Sequence, residues 1–168
     1  MKKIGVFYSF NTRNTTKAVV KIMEAFGNQN IEAVNVENIT LPQLLAFDNL
    51  ILGVPTWFDG ELPNYWDEFM PALEEGDLHG KTIAIFGHGD QVGYSENFAD
   101  AIGILAEAVE ERGAKLIGQT QPESYEFERS YALKKGVFLG LVLDDENQSE
   151  LTDDRIKRWV EVLKKEFK

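Results

Sequence analysis

The sequence predicts an α/β fold: an open, doubly wound parallel sheet of five strands with helices on both faces. Three observations carry that prediction. Short apolar runs alternate with longer amphipathic stretches along most of the chain, as expected when strands are laid down in parallel through helical crossovers. The first apolar run, Ile4-Gly5-Val6-Phe7-Tyr8, stops at a small polar loop that feeds straight into a helical pattern. Two later runs end in loops rich in Gly, Pro and aromatic residues, at the strand ends where such sheets bind ligands.

In chain order, the strand candidates are Lys3–Tyr8, Ile31–Val36, Asn49–Val54, Thr82–Gly87 and Lys115–Gly118, with a further apolar run at Val137–Leu143. The helix candidates are Thr15–Phe26, Leu41–Ala46, Tyr65–Leu73, Phe98–Arg112 and Asp153–Glu166. The last places Ile156, Trp159, Val160 and Leu163 on one face, and Thr152 stands before it as a candidate N-cap. The segment Gln119–Gly136 has no clear period and reads as an insertion that splits the fifth strand. The block Asp144 to Ser149 reads as a solvated acidic turn. No repeat, linker or low-complexity stretch divides the 168 residues, so one domain is expected.

Composition narrows the function. The hydrophobic fraction of 43% and charged fraction of 27% are those of an ordinary globular protein. No apolar stretch reaches the roughly 20 residues that span a bilayer, and the N-terminus shows no signal-peptide pattern. Cysteine is absent, which excludes disulfides, thiolate nucleophiles and cysteine-ligated clusters and fits a cytoplasmic protein. The two histidines, His79 and His88, lack metal-ligand spacing. A net charge of −11 repels phosphate backbones and anionic lipid, so nucleic acid and membrane are disfavoured as partners. A basic protein partner is favoured.

Three loops follow strand ends. In the first, Ser9-Phe10-Asn11-Thr12-Arg13-Asn14-Thr15, the unpaired N–H groups of the coming helix and its dipole form an anion site. The loop lacks the Gly-Lys-Ser/Thr of a Walker A motif and the spacing of a dinucleotide fingerprint. Taken alone it reads more readily as a strand–helix connection with Asn and Thr caps. The second loop runs from Pro55-Thr56-Trp57-Phe58-Asp59-Gly60 to Pro63, and the third from His88-Gly89-Asp90 through Gly93-Tyr94 to Asn97. Trp57 and Tyr94 on neighbouring loops can sandwich a flat ligand, each stack worth about 0.5–1.5 kcal/mol beyond area burial. Asp59 and Asp90 could accept from ring N–H groups or cap turns. An anion at one end and a flat polar heterocycle at the other describe a mononucleotide-like cofactor.

These loops resemble the three flavin-mononucleotide loops of flavodoxins: Phe7 to Thr15, Pro55-Thr56-Trp57 with Gly60-Glu61, and Gly89-Asp90-Gln91-Val92-Gly93-Tyr94 with Asn97. The likeness covers essentially the whole chain, including the Gln119–Gly136 insertion of the long-chain branch. It implies the flavodoxin-like strand order 2-1-3-4-5. It further implies that Thr12, Thr15 and backbone N–H groups from Asn11 to Thr15 hold the FMN phosphate, with Thr56 at the ribityl or phosphate end. Trp57 and Tyr94 would stack on opposite ring faces. The Phe58-Asp59 backbone would lie near N5, and Asp90 and Asn97 near the pyrimidine edge and ribityl chain. Phe10, Arg13, Phe58 and His88 stand where the family usually has other residues, and Ser9 could return a hydroxyl lost at Phe10.

The resemblance implies a low-potential one-electron carrier with non-covalently bound FMN. It would be a monomer with no substrate turnover of its own. Its expected partners are basic redox proteins, such as a flavodoxin/ferredoxin reductase, and low-potential oxidoreductases. The alternative is a flavodoxin-like NAD(P)H:quinone reductase, against which Trp57 and Tyr94 would block both ring faces. A phospho-acceptor domain of the same topology lacks its clustered strand-end Asp residues here.

Overall fold

A computed structural model describes all 168 residues. The strands are β1 (Ile4–Tyr8), β2 (Ile31–Asn35), β3 (Asn49–Gly53), β4 (Thr82–His88), β5 (Lys115–Ile117), β6 (Leu133–Lys134), β7 (Val137–Phe138) and β8 (Leu141–Leu143). The helices are α1 (Asn14–Ala25), α2 (Leu41–Leu45), α3 (Asn64–Asp67), α4 (Met70–Glu74), α5 (Asp100–Glu111) and α6 (Thr152–Glu166). The main sheet is parallel in the order β2-β1-β3-β4-β5, as the sequence predicts.

Strand alternation divides the core in two. Side chains of successive strand residues point to opposite faces, so an apolar run buried on both sides feeds two cores at once. Ile4, Val6, Ile51, Ala84 and Phe86 pack with Ala18, Val19 and Ile22 of α1 and with Ile156, Trp159, Val160 and Leu163 of α6. Phe7, Leu50, Leu52, Ile83 and Ile85 pack on the other side with Leu44, Trp66, Leu73 and the α5 residues Ala101 to Val109.

The fifth-strand position is shared by two segments. β5 pairs with the start of β4 (Thr82↔Lys115) and β8 with its end (Phe86↔Leu141). Between them the chain leaves the sheet, and β6 and β7 form a small antiparallel pair. Gly103 and Gly140 permit this arrangement. A Cβ on Gly103 would lie 2.2 Å from the Tyr131 carbonyl oxygen of the excursion. One on Gly140 would lie 2.2 Å from the Ile85 carbonyl oxygen.

Three local expectations are corrected. The helix expected over Tyr65–Leu73 is two short helices, α3 and α4. Pro71 is the reason: it has no N–H to donate, and its ring obstructs the carbonyl four residues back. The helix expected from Phe98 starts at Asp100, because Ala99 adopts the left-handed conformation at φ 54°. Thr152 is not an N-cap; it is the first residue of α6, and its hydroxyl donates to Asp145 Oδ1 at 2.5 Å.

Candidate functional site

The carboxyl ends of β1, β3 and β4 bring the three loops to one edge of the sheet. A cleft of about 290 Å³ opens there. From the first loop it takes Asn14, and from the second Pro55, Thr56, Trp57 and Phe58. The third loop contributes His88, Gly89, Asp90, Tyr94 and Asn97. A larger cleft of about 410 Å³ lies elsewhere, between the excursion and α6, where Arg155 stacks on the Tyr125 ring. None of the three loops lines it.

The first loop is organised from within. Ser9 is buried, and its Oγ accepts the Asn11 N–H at 3.2 Å. The Thr12 hydroxyl donates to the Ser9 carbonyl at 2.7 Å, and Thr15 is buried. Asn11 Nδ2 donates to Glu37 Oε2 at 2.6 Å. The expectation of free donors from Asn11 onward is therefore corrected: the Asn11 and Thr12 N–H groups both bond to Ser9. The N–H groups of Arg13, Asn14, Thr15 and Thr16 have no acceptor in the protein. With α1 running for 12 residues behind them, they are the free donors that an anion at a helix N-terminus requires. Arg13 is exposed at φ −89° and ψ −60°, ordinary helical values, so it carries no left-handed strain.

The second loop is a tight hairpin. Trp57 N–H donates to the Glu61 carbonyl at 2.9 Å and Glu61 N–H returns a bond at 2.7 Å. Phe58 at φ 47° and Gly60 at φ 88° flank Asp59 at its tip. A non-glycine residue at such a φ is strained by about 1 kcal/mol, and Phe58 is also 69% exposed. Trp57 is half-buried and meets the Tyr65 ring edge-on at 5.8 Å. Thr56 Oγ1 accepts the Ala101 N–H at the start of α5 (3.0 Å), leaving its own proton for the cleft. Asp59 and Gly60 do not line the cleft, and Asp59 is exposed.

In the third loop Asp90 caps its own turn. Its Oδ1 accepts from Val92 N–H (3.1 Å), Gly93 N–H (2.8 Å) and Asn147 Nδ2 (2.8 Å). The Gly93 N–H bond, followed by that from Asn147, holds the Asp90 carboxyl below its ordinary range. Of the two roles open to Asp90 in the sequence, the structure displays turn capping.

Three cleft residues were missed by sequence reasoning: Ala99, Asp145 and Glu146. Asp145 and Glu146 belong to the block read as a solvated turn, and that reading is corrected at its first two positions. Asp144 is completely buried. It accepts Gln91 N–H (3.0 Å), Gln91 Nε2 (2.7 Å) and Asn147 N–H (3.1 Å). Asp145 is paired with His88 at 2.8 Å, which draws its carboxyl down to about 2. The only signal available in the sequence was their position one and two residues beyond a buried strand.

The flavodoxin family model matches residues 6–159. The chain belongs to the flavodoxin family. It is 46% identical over 166 residues to the flavodoxin of a Nostoc species, covering 99% of this chain and 98% of that one. It is 38% identical to the flavodoxin of Klebsiella pneumoniae, covering 99% and 96%. Its backbone matches the crystal structure of Fusobacterium nucleatum flavodoxin bound to flavin mononucleotide with a TM-score of 0.95 at 37% identity, covering 100% of both chains. Two of the positions expected to differ from the family's usual residues are Phe10 and His88. Phe10 is 48% exposed and leans on Tyr8, with ring centroids 5.0 Å apart. His88 faces an acidic partner in place of presenting a hydroxyl.

Proposed function

We propose that this chain carries single electrons between redox partner proteins through one non-covalently held FMN. The observation that carries the proposal is the cleft flanked by Trp57 and Tyr94, beside a loop with a row of unpaired helix-terminal N–H groups. The donor set fits the cofactor. The N–H groups from Arg13 to Thr16 suit a phosphate dianion, being neutral donors backed by a helix dipole. The Thr56 hydroxyl, Asn14 and Asn97 suit a polyol, and the aromatic walls suit a flat ring.

When bound, the flavin supplies the one-electron chemistry. The chain's own residues anchor, cover and tune. With a flat ring held between them, Trp57 and Tyr94 would exclude water from its faces and disfavour hydride delivery there. Asp59, Glu61, Asp67 and Glu146 place exposed negative charge around the cleft, which disfavours added electrons and attracts a basic partner. Asp144, read from the sequence as part of a solvated acidic turn, is buried and adds nothing to that exposed charge. We place the protein in the cytoplasm as a monomer; no helix is long and apolar enough to cross a membrane.

The decisive test is the identity of the pigment. Acid precipitation of the yellow protein is expected to release FMN, because the site has one anion-binding turn and no second one for a pyrophosphate. Recovered FAD, or a colourless protein indifferent to added FMN, would reject the assignment. NADPH added without a reductase under anaerobic conditions is expected to leave the flavin oxidised; bleaching would favour the quinone-reductase alternative. With a basic reductase, the association rate is expected to fall steeply with salt, since exposed charges are screened beyond about 8 Å at physiological ionic strength. A rate that is flat from low to moderate salt would remove the acidic rim from the account.

Arg13 gives a sharper expectation. Its helical backbone leaves no left-handed strain for glycine to relieve. We assign its guanidinium a charge-assisted bond to the phosphate, offsetting the hydroxyl replaced by Phe10. Arg13→Gly is expected to weaken FMN binding by about 1–3 kcal/mol and to leave riboflavin binding unchanged. Equal FMN constants for the two proteins would assign Arg13 to solvent.

A further inference from the structure

Two rings stand at right angles to the Trp57 indole. Phe58 lies 6.3 Å away between centroids with 85° between the planes, and Tyr65 lies 5.8 Å away at 87°. They differ in what holds them. Phe58 is 69% exposed and sits on the same hairpin, so it travels with Trp57 and cannot anchor it to the rest of the protein. Tyr65 belongs to α3, and its ring packs, half-buried, against the core that contains Leu44, Trp66 and Leu73.

The helix that carries Tyr65 is itself pinned. Its neighbour Trp66 is completely buried, and the Trp66 indole N–H donates to the carbonyl of Gly53, the last residue of β3, at 2.9 Å. A packed path therefore runs from the end of β3 through Trp66 and Tyr65 to the Trp57 ring. The Tyr65 hydroxyl takes no part in it, being buried without a hydrogen-bond partner. Burial, and then the Glu37 carboxylate, push its ionisation far above the ordinary tyrosine range, so the ring is neutral. An unpaired buried hydroxyl stabilises nothing, and what Tyr65 offers is its ring. A binding side chain locked by packing from behind loses less freedom when its ligand arrives.

We propose that Tyr65 is a positioning residue for Trp57, its ring holding the indole in the orientation that stacks on the flavin. This rests on the flavin assignment above. It extends ring recognition to α3, beyond the three strand-end loops, through a side chain that lines no part of the cleft.

The test titrates flavin-free, full-length protein with FMN and with lumiflavin, the ring system without ribityl chain or phosphate. Tyr65→Leu, which keeps an apolar side chain at the position, is expected to weaken both ligands by the same factor, about fivefold, within the range of one aromatic pair. The fluorescence of the bound flavin at saturation should rise, because a loosened indole quenches it less. Tyr65→Phe keeps the ring and drops only the unpaired hydroxyl, so its affinities and fluorescence should match those of the parent. The deciding comparison is a double-variant cycle. In a Trp57→Leu background, Tyr65→Leu should add no further loss, since its effect passes through the indole. Losses that add in the double variant would overturn the proposal. So would a Tyr65→Leu protein that is less stable to denaturant but binds and quenches like the parent, or a Tyr65→Phe protein as weak as Tyr65→Leu. A parent protein that takes up neither ligand would reject the flavin assignment itself, and this inference with it.

Discussion

Asp144→Ala is expected to be the most destabilising single change near the site, by about 3 kcal/mol, because it strands several buried donors at once. The carboxylate is fully buried and accepts Gln91 N–H, Gln91 Nε2 and Asn147 N–H. Gln91 is itself buried, and its Oε1 accepts the Glu126 N–H at 2.7 Å. One side chain therefore joins the end of β8, the third cleft loop and the excursion. Water cannot replace it at Gln91 without opening the loop. Asp144→Asn keeps one acceptor oxygen but turns an amide toward donors, so roughly half the loss is expected. Denaturant unfolding of the three flavin-free proteins checks this. A cost below about 1 kcal/mol for Asp144→Ala would show that the loop opens to solvent at little expense.

Gly60→Ala is expected to have the largest effect on the cofactor's behaviour. Gly60 sits at φ 88°, and a Cβ there would lie 2.6 Å from Asp100 Oδ2 and 3.1 Å from Asn97 Cβ. Asp100 cannot simply swing away, because its Oδ1 accepts the Tyr131 N–H at 2.7 Å. Burial also holds its carboxyl above the ordinary range. Left-handed backbone strain and displaced neighbours together should cost about 2 kcal/mol. The hairpin tip, already strained at Phe58, should shift as a unit. During stepwise anaerobic reduction of the FMN-loaded protein, a broad long-wavelength band is expected to rise and then fall. Gly60→Ala should diminish it, because the tip can no longer reorient a backbone carbonyl freely. Asp100→Ser added to Gly60→Ala should recover part of the stability, since it removes the closest clash while keeping a hydroxyl acceptor for Tyr131. An undiminished band would separate Gly60 from the redox role. Absence of the band in the parent protein would reject one-electron chemistry.

The parallel sheet and the three strand-end loops were legible in the sequence because their signals are local. An apolar run of five residues buried on both faces reads the same wherever it sits, and Gly, Pro and polar residues mark where it stops. The resemblance supplied the order. The break between α3 and α4 was also legible, in Pro71, but the apolar residues around it suggested one continuous helix. The left-handed turn at Ala99 was not legible, because alanine carries no preference for that conformation; the packing of Phe98 against Phe127 and Phe138 holds it there.

The sequence alone determined the alternation of elements and the three strand-end loops, but not the part of the cleft wall that Ala99, Asp145 and Glu146 supply. Only the folded chain shows which polar groups in the cleft and in the loops behind it are already spent. Asp90 is taken by its own turn and by Asn147, Thr12 by the Ser9 carbonyl, and Asp144 by Gln91. His88 is aimed by Asp145, 57 residues away. The reason is physical. A hydrophobic period is a property of neighbours in sequence, whereas a buried carboxylate persists only where donors from distant segments converge on it, and that convergence exists only once the sheet has formed.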